Sequence, residues 1–200
     1  MKAKQIFSLY NHENHKTLVE SKYCSLCGTK CLIKEDGGRE RFACPECGFI
    51  HYKNPYPAVS VLIVDGDQVL LGKRTTGSFK GDEWCLPCGF IEFDEDFLTA
   101  AIREVKEETN LDIEIKSVIN VAFNFLSPSI HTLVIVLLAE KIEGELCAGD
   151  DLSDLKWFNI NDTLPDIAFE ADKHIIQRYF KTQITGLPID SDFTSKNRVK

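Results

Sequence analysis

The chain has 200 residues, 44% of them hydrophobic and 27% charged, with a formal net charge of −8 and eight cysteines. That is room for one full domain plus a small module. The acidic balance argues against generic duplex nucleic-acid binding, which relies on a basic surface. No apolar run is long enough to span a bilayer, and the longest, Leu133 to Ala139, reads as a buried strand. Residues 1–20 are polar, carry His12 and His15, and lack the apolar core of a signal peptide. They read as a tail or a loosely docked arm, and a cytoplasmic location with reduced thiols is expected.

Residues 21–52 are rich in cysteine and glycine and poor in aliphatic side chains, so they need a staple. Cys24-Ser-Leu-Cys27-Gly and Cys44-Pro-Glu-Cys47-Gly are two Cys-x2-Cys knuckles. Four thiolates in two such pairs satisfy the tetrahedral preference of Zn²⁺. The glycine after each pair lets backbone amides turn toward the sulfurs. A zinc ribbon follows, with Zn²⁺ in a structural role because four cysteines leave no open coordination position. Cys31 and His51 lie near enough to be alternative ligands, and two disulfides are the competing reading. The ribbon is also a candidate homodimer surface. Lys53-Asn54-Pro55-Tyr56-Pro57 reads as an extended linker.

From Ala58 the texture changes. Val59 to Val64 and Val69 to Leu71 flank Asp65-Gly66-Asp67, a hairpin signal. Trp84 to Phe93 reads as a loop. Asp96 to Thr109 has helical spacing, with Phe97, Ala101 and Val105 on one side, Leu98 and Ile102 beside them, and the three glutamates 104, 107 and 108 facing away from Phe97. Asp94 and Asp96 suit the helix start. Ile113 to Phe125 and Thr132 to Ala139 read as strands, the second of them central. Lys156-Trp157-Phe158 reads as a short strand or turn. Ala168 to Phe180 reads as an amphipathic helix with Ile175, Ile176 and Tyr179 toward the core. Strands, helix, strands, helix predict an α/β sandwich around a mixed sheet.

Three carboxylates on one helix face repel one another unless a cation sits among them. Mg²⁺ commonly joins one or two carboxylates to substrate phosphates. Glu104, Glu107 and Glu108 therefore point to a Mg²⁺-type site (or Mn²⁺) acting on a phosphorylated compound. A solvated acidic face paired with Arg103 and Lys106 is the bland alternative.

The order of residues 89–111 resembles the signature of the Nudix hydrolase family, Gly-x5-Glu-x7-Arg-Glu-U-x-Glu-Glu-x-Gly-U, with U a bulky aliphatic residue. Gly89, Glu95, Arg103, Glu104, Val105, Glu107, Glu108 and Leu111 fall in register. Asn110 replaces the last glycine, and asparagine is the best substitute for glycine in the left-handed conformation of a helix end. Cys88 stands where these proteins usually carry another glycine, and a positive φ there would strain it. The resemblance covers about residues 56–182, leaving 183–200 as a C-terminal tail. It implies the Nudix α/β/α sandwich with mixed sheet, preceded here by the zinc ribbon.

By motif position the resemblance implies that Glu104, Glu107 and Glu108 hold Mg²⁺ with a backbone carbonyl of Cys88 or Gly89. Glu104 or Glu107 would take the water proton. Arg103 would orient a glutamate, and Glu95 would pair with Arg103 or support the loop. Lys73 and Arg74 look like the family's basic pair near the phosphates. Asp151 and Asp154 are candidate distal acids. The implied reaction is hydrolysis of a nucleoside diphosphate linked to another moiety, releasing a nucleoside monophosphate. Ribbon-bearing relatives of the ADP-ribose and FAD pyrophosphatase type share the Asn-Pro linker and the Ala168-Phe169 pair. NADH pyrophosphatases carry a Ser-Gln-Pro-Trp-Pro-Phe-Pro stretch that residues 112–130 lack. The expected order is ADP-ribose, FAD, NADH, with Tyr52, Tyr56, Phe79 and Phe125 as candidate adenine-stacking rings. A non-catalytic nucleotide sensor, or a ribbon that binds nucleic acid or protein, is the alternative of another class. Cys85-Leu-Pro-Cys88 reads as free thiols, with a redox or metal role as the alternative; Cys147 reads as an inert thiol.

Overall fold

The computed structural model describes residues 22–127 and 130–190, except the side chain of Phe125. The arm with His12 and His15 and the chain end from 191 lie outside the described residues. The chain divides into two compact units. Among the described residues, one holds residues 22–55 with those of 125–131, and the other holds Tyr56–Asn124 and residues 132–190.

The first unit carries three antiparallel strands, β1 (Leu32–Asp36), β2 (Arg39–Ala43) and β3 (Ile50–His51), in that order. Gly37 and Gly38 join β1 to β2 with φ of 59° and 76°, the paired left-handed turn that two-residue hairpins need. Its apolar cluster is small: Cys24, Cys31 and Cys44 with Phe42 and Phe49 packed against them.

The second unit is built on β4 (Tyr56–Asp65), β5 (Gln68–Arg74), β6 (Trp84–Cys85), β7 (Cys88–Phe90), α1 (Phe97–Thr109), β8 (Asp112–Ser127), β9 (Ile130–Glu143), β10 (Leu152–Asn159), α2 (Glu170–Thr182) and β11 (Leu187–Pro188). The sheet order is β10-β5-β4-β9-β8-β11, with β6 on β5 and β7 on β4. The β4–β9 pair is parallel, from Tyr56 opposite Thr132 to Ile63 opposite Ala139, and antiparallel pairs such as β4–β5 make the sheet mixed.

Strand alternation divides the core. Val59, Val61 and Ile63 point to the face covered by Ala100, Ala101 and Val105 of α1. Ala58 and Leu62 point to the face covered by Ala171, Ile175 and Ile176 of α2. A strand buried on both faces reads as a continuous apolar run, which is why Val59 to Val64 shows no polar alternation. The result is the expected α/β/α sandwich.

Several elements differ from the sequence reading. Within 84–93, short strands β6 and β7 pair with β5 and β4. The strand at Trp157 spans eight residues along β5, with an irregularity between Leu152 and Asp154. Ile102 is exposed on α1. The glutamates do not all face away from Phe97: Glu104 and Glu108 are buried on the inward side, and only Glu107 is exposed. Glu104 follows Phe97 by seven residues, about two helical turns, so both point the same way.

Helix α1 begins at Asp96, whose Oδ1 accepts the Leu98 and Thr99 amides at 3.0 and 2.9 Å. It ends at Asn110, which adopts φ 62°, ψ 9°, the conformation its place in the signature called for. Its side chain donates to the Glu145 carbonyl at 3.1 Å. Among the described residues no helix is long and apolar enough to cross a membrane. Replacing Asn110 by Val should cost about 1–2 kcal/mol in urea unfolding, because a β-branched residue resists the left-handed region. Asn110→Gly should stay within about 0.5 kcal/mol of the parent. Equal losses in both variants would assign the effect to the Glu145 contact instead of the backbone.

Candidate active site

Helix α1 lies beside β4 and β7, and its two buried acids meet β7 differently. Glu108 Oε2 accepts the backbone amide of Cys88 at 2.9 Å. The carboxylate of Glu104 fills the space where a Cβ on residue 89 would stand. Gly89 is therefore needed for clearance, since its φ is not positive. Cys88 pairs with Ser60 along β4 in ordinary strand conformation and carries no strain.

Arg103 gathers the acids from one side. Its Nη1 donates to Glu104 Oε1 at 2.8 Å and to Glu107 Oε2 at 3.0 Å. Nε donates to Glu95 Oε2 at 3.0 Å, and Nη2 to the Phe90 carbonyl at 3.1 Å. Glu95 also accepts the Glu92 amide at 2.9 Å, and its acidity is strengthened chiefly by the hydrogen bond from Arg103. One guanidinium thus binds three signature glutamates to the loop before the helix.

One cation does not neutralise this cluster. Burial pushes the Glu104 carboxyl above its usual range; Arg103 opposes the shift, while Glu107 and Asp150 add to it. Burial likewise pushes Glu108 well above the usual range, reinforced by Cys85, Asp151 and Glu104 and opposed by the Cys88 amide. Buried carboxylates surrounded by further acids are the environment a divalent cation relieves. The donor set of hard carboxylate oxygens, with backbone beside Gly89, fits such an ion.

The turn before β10 closes the site. The Gly149 amide donates to the Glu108 carbonyl at 3.1 Å, and Asp150 takes φ 50°. Asp151 Oδ2 receives Arg74 Nη2 at 2.8 Å, and its carbonyl receives the Thr75 amide at 2.9 Å. Of the four other predicted residues, Arg74 and Asp151 come together near Glu108. Lys73 and Asp154 are register partners on β5 and β10, with Lys73 Nζ 3.4 Å from Asp82. Neighbouring strand residues point to opposite faces, so Lys73 and Arg74 cannot both face the acids. Arg74 is also committed: Nε donates to the Phe79 carbonyl at 2.7 Å and the guanidinium lies 5.8 Å from the Phe169 ring centroid.

Two acids escaped the sequence reading. Asp150 was one. Asp172 was the other: it is 3% exposed and accepts the Leu86 amide at 3.1 Å. It precedes Ile175 and Ile176 by three and four residues, so an acid within the apolar face of α2 was the available signal. Among the proposed stacking rings, Tyr56 stands edge-on to Phe90 at 5.8 Å and Phe79 stacks on Phe169 at 6.5 Å. Tyr52 lies under Arg41 in the first unit. A groove of about 890 Å³ is lined by residues 160–167, the outer side of α2 and Lys80 and Glu83. It contains none of the signature residues.

In the first unit, the Sγ atoms of Cys24, Cys27, Cys44 and Cys47 lie within 4.8 Å of one another. Three of the separations are 3.6, 3.4 and 3.7 Å. The Leu26 and Cys47 amides point at Cys24 and Cys44 sulfurs at 3.4 and 3.5 Å. Gly28 and Gly48 take φ of 73° and 75°, as the knuckles require. Cys31 is buried against this group without joining it. All eight cysteines are free thiols.

The model described as NUDIX domain matches residues 54–179, and the one described as Nudix N-terminal matches residues 22–53. An ADP-ribose pyrophosphatase of Methanocaldococcus jannaschii is 39% identical over 131 residues, covering 65% of this chain and 76% of the relative. An NAD-capped RNA hydrolase NudC of Pseudomonas aeruginosa is 29% identical over 163 residues, covering 80% of this chain. The chain spans 55% of that relative's length. The crystal structure of a NUDIX hydrolase from Nitrosomonas europaea superposes with a TM-score of 0.72 at 30% identity, covering 84% of this chain and 94% of that one.

Burial pushes the Asp172 carboxyl up to about 7, against the Leu86 amide and the Arg74 charge. The folded protein keeps a proton that the unfolded chain loses above about pH 4. Stability from this group is thus present at low pH and is lost as pH rises toward 7. Asp172→Asn, which never ionises, should flatten the decline of Tm between about pH 4 and about pH 7 relative to the parent. Parallel Tm profiles would mean that Asp172 ionises as freely as an exposed acid.

Proposed function

The chain belongs to the NUDIX family, and from that premise we propose that it hydrolyses the pyrophosphate bond of a nucleoside diphosphate linked to another moiety, with ADP-ribose as the first substrate. The observation that carries this reading is the pair of buried acids, Glu104 and Glu108, set against Gly89 and Cys88. Burying two carboxylates is costly, and a metal–diphosphate site gives that cost a purpose. The likeness to an ADP-ribose pyrophosphatase across most of that enzyme's length supports the choice of substrate. FAD follows. NADH, or the NAD end of an RNA, is the reading that the NudC likeness favours, against the missing Ser-Gln-Pro-Trp-Pro-Phe-Pro stretch.

Glu104, Glu107 and Glu108, with a carbonyl of Cys88 or Gly89, would hold Mg²⁺ or Mn²⁺. The bound ion would stabilise the charge that develops on the phosphoryl oxygens and lower the pKa of a bound water. Arg103 fixes Glu104 and Glu107 through its Nη1. Glu107, half exposed and held only through Oε2, is the better placed of the two candidate bases to take the water proton on its other oxygen. Water attacks phosphorus, the bridging P–O bond breaks, and a nucleoside monophosphate leaves with the other phosphorylated half. Asp151 sets Arg74 at the edge of the acid cluster. Lys73 stands on the neighbouring face, where reaching the phosphates would require leaving Asp82.

The four ribbon thiols fit Zn²⁺, whose tetrahedral shell at about 2.3 Å has sulfur–sulfur edges of about 3.8 Å. A closed shell makes that metal structural, and free cysteines throughout are in keeping with a reducing, cytoplasmic setting.

Incubated with Mg²⁺ and separately with ADP-ribose, FAD, NADH and NAD-capped RNA, the protein should release AMP fastest from ADP-ribose. Glu107→Gln should keep the fold and lose about 10²–10⁴-fold in turnover. Tight nucleotide binding without AMP release in the parent would make the domain a sensor. A thiol-specific zinc chelator should expose residues 22–53 to protease while residues 56–190 keep their far-UV circular dichroism. Loss of turnover with an intact, protease-resistant ribbon would give the zinc a catalytic role.

A further inference from the structure

The turn Leu86-Pro87-Cys88, between β6 and β7, carries the backbone that faces the acid cluster. Its hydrogen bonds are few and all are spoken for. The Leu86 amide goes to Asp172 Oδ2 at 3.1 Å, and the Cys88 amide goes to Glu108 Oε2 at 2.9 Å. Proline has no amide, and its carbonyl accepts from Val61 at 2.9 Å. Each donor of the turn therefore ends on a buried carboxylate, one from each helix layer. Glu108 comes from α1 and Asp172 from α2, on opposite faces of the sheet.

We propose that Asp172 is a positioning residue for the hydrolytic site: by holding the Leu86 amide it fixes the turn whose Cys88 amide orients Glu108 for metal binding. This rests on the hydrolase reading above.

A simpler role for Asp172 is to stabilise the start of α2, whose preceding residue, Phe169, supplies no side-chain cap. An acid in the first turn does favour the helix dipole. Glu170 already supplies one there and remains exposed to solvent. Dipole stabilisation works from an exposed position, so it does not account for a carboxylate buried to 3% exposure. The contact with a buried backbone amide 86 residues away does, because an unpaired amide at Leu86, itself fully buried, would be left without water or partner. The groups facing Asp172 are consistent with an anchoring role: the Leu86 amide touches it and the Arg74 guanidinium lends it charge. Arg74 in turn holds Asp151, whose charge acts on Glu108. Misplacement of site backbone by about 1 Å is enough to cost on the order of 10² in rate.

The test measures metal affinity without turnover. Mn²⁺ binding to the full-length protein, followed by electron paramagnetic resonance in the absence of nucleotide, should weaken about tenfold in Asp172→Ala. Amide exchange at Leu86 and Cys88 should speed up in the same variant. Asp172→Asn keeps an acceptor oxygen and should bind Mn²⁺ within about threefold of the parent. Where Asp172→Ala does not fold, Asp172→Ser, with a shorter acceptor, should show the weakened binding. A folded Ala or Ser variant with parental Mn²⁺ affinity and parental amide exchange overturns the proposal, as does an Asn variant as impaired as Ala. A parent that binds Mn²⁺ and releases AMP beside unaffected variants would sink this inference alone. A parent that does neither would sink the hydrolase reading and this inference with it.

Discussion

Two carboxylates withdrawn from water beside a bare stretch of backbone set the terms for the rest of this molecule. Glu104 and Glu108 are 7% and 1% exposed, and burial of like charges is tolerated only where partners are built to receive them. Arg103 offsets part of the charge and the Cys88 amide another part. The remainder leaves both carboxyls raised above their ordinary range. A fold that keeps such a cluster must hold its supports rigidly. Three layers of packing do so here, with α1 bearing the acids, β7 giving clearance at Gly89, and α2 anchoring the preceding turn from the opposite face.

That arrangement explains the distribution of residue types along β4. Its residues must be apolar on both sides because each side supports a different helix. The α1 side fixes the height of the acids above the sheet. The α2 side fixes Asp172, and through it the turn at Leu86. The strand between them carries no ionisable side chain from Pro57 to Val64, so the acid cluster is stacked on a support with no charge of its own. The buried acids meet the sheet at Cys88 and Gly89 of β7.

The parts of this structure that were legible in the sequence are those with short-range causes. Helix α1, its Asp96 cap and its left-handed end at Asn110 depend on residues within a few positions of one another. The knuckles at Cys24 and Cys44 are equally local. The two faces of β4 followed from an uninterrupted apolar run. The direction of the glutamates differs from the expectation because Glu104 and Glu108 follow Phe97 by seven and eleven residues, close to whole helical turns, and so share its side. What was out of reach were pairings across long separations: Asp172 with Leu86, Arg74 with Asp151, and the short strands at 84–90 whose existence depends on their partners. No periodicity records such contacts, and an acid on the apolar face of α2 was the one trace they left.

The location of the groove sharpens the point. The groove of about 890 Å³ is lined by Lys80, Lys173 and Lys181 beside Asp67, Glu83, Asp162, Asp166 and Glu170, and by none of the signature residues. Chemistry is marked by charge that has no internal answer. At the signature helix Glu95, Glu104 and Glu107 share one guanidinium, Glu108 accepts a backbone amide, and Glu104 and Glu108 are buried. A small divalent cation, and the phosphates it carries, would relieve such an imbalance by adding positive charge among hard oxygen donors.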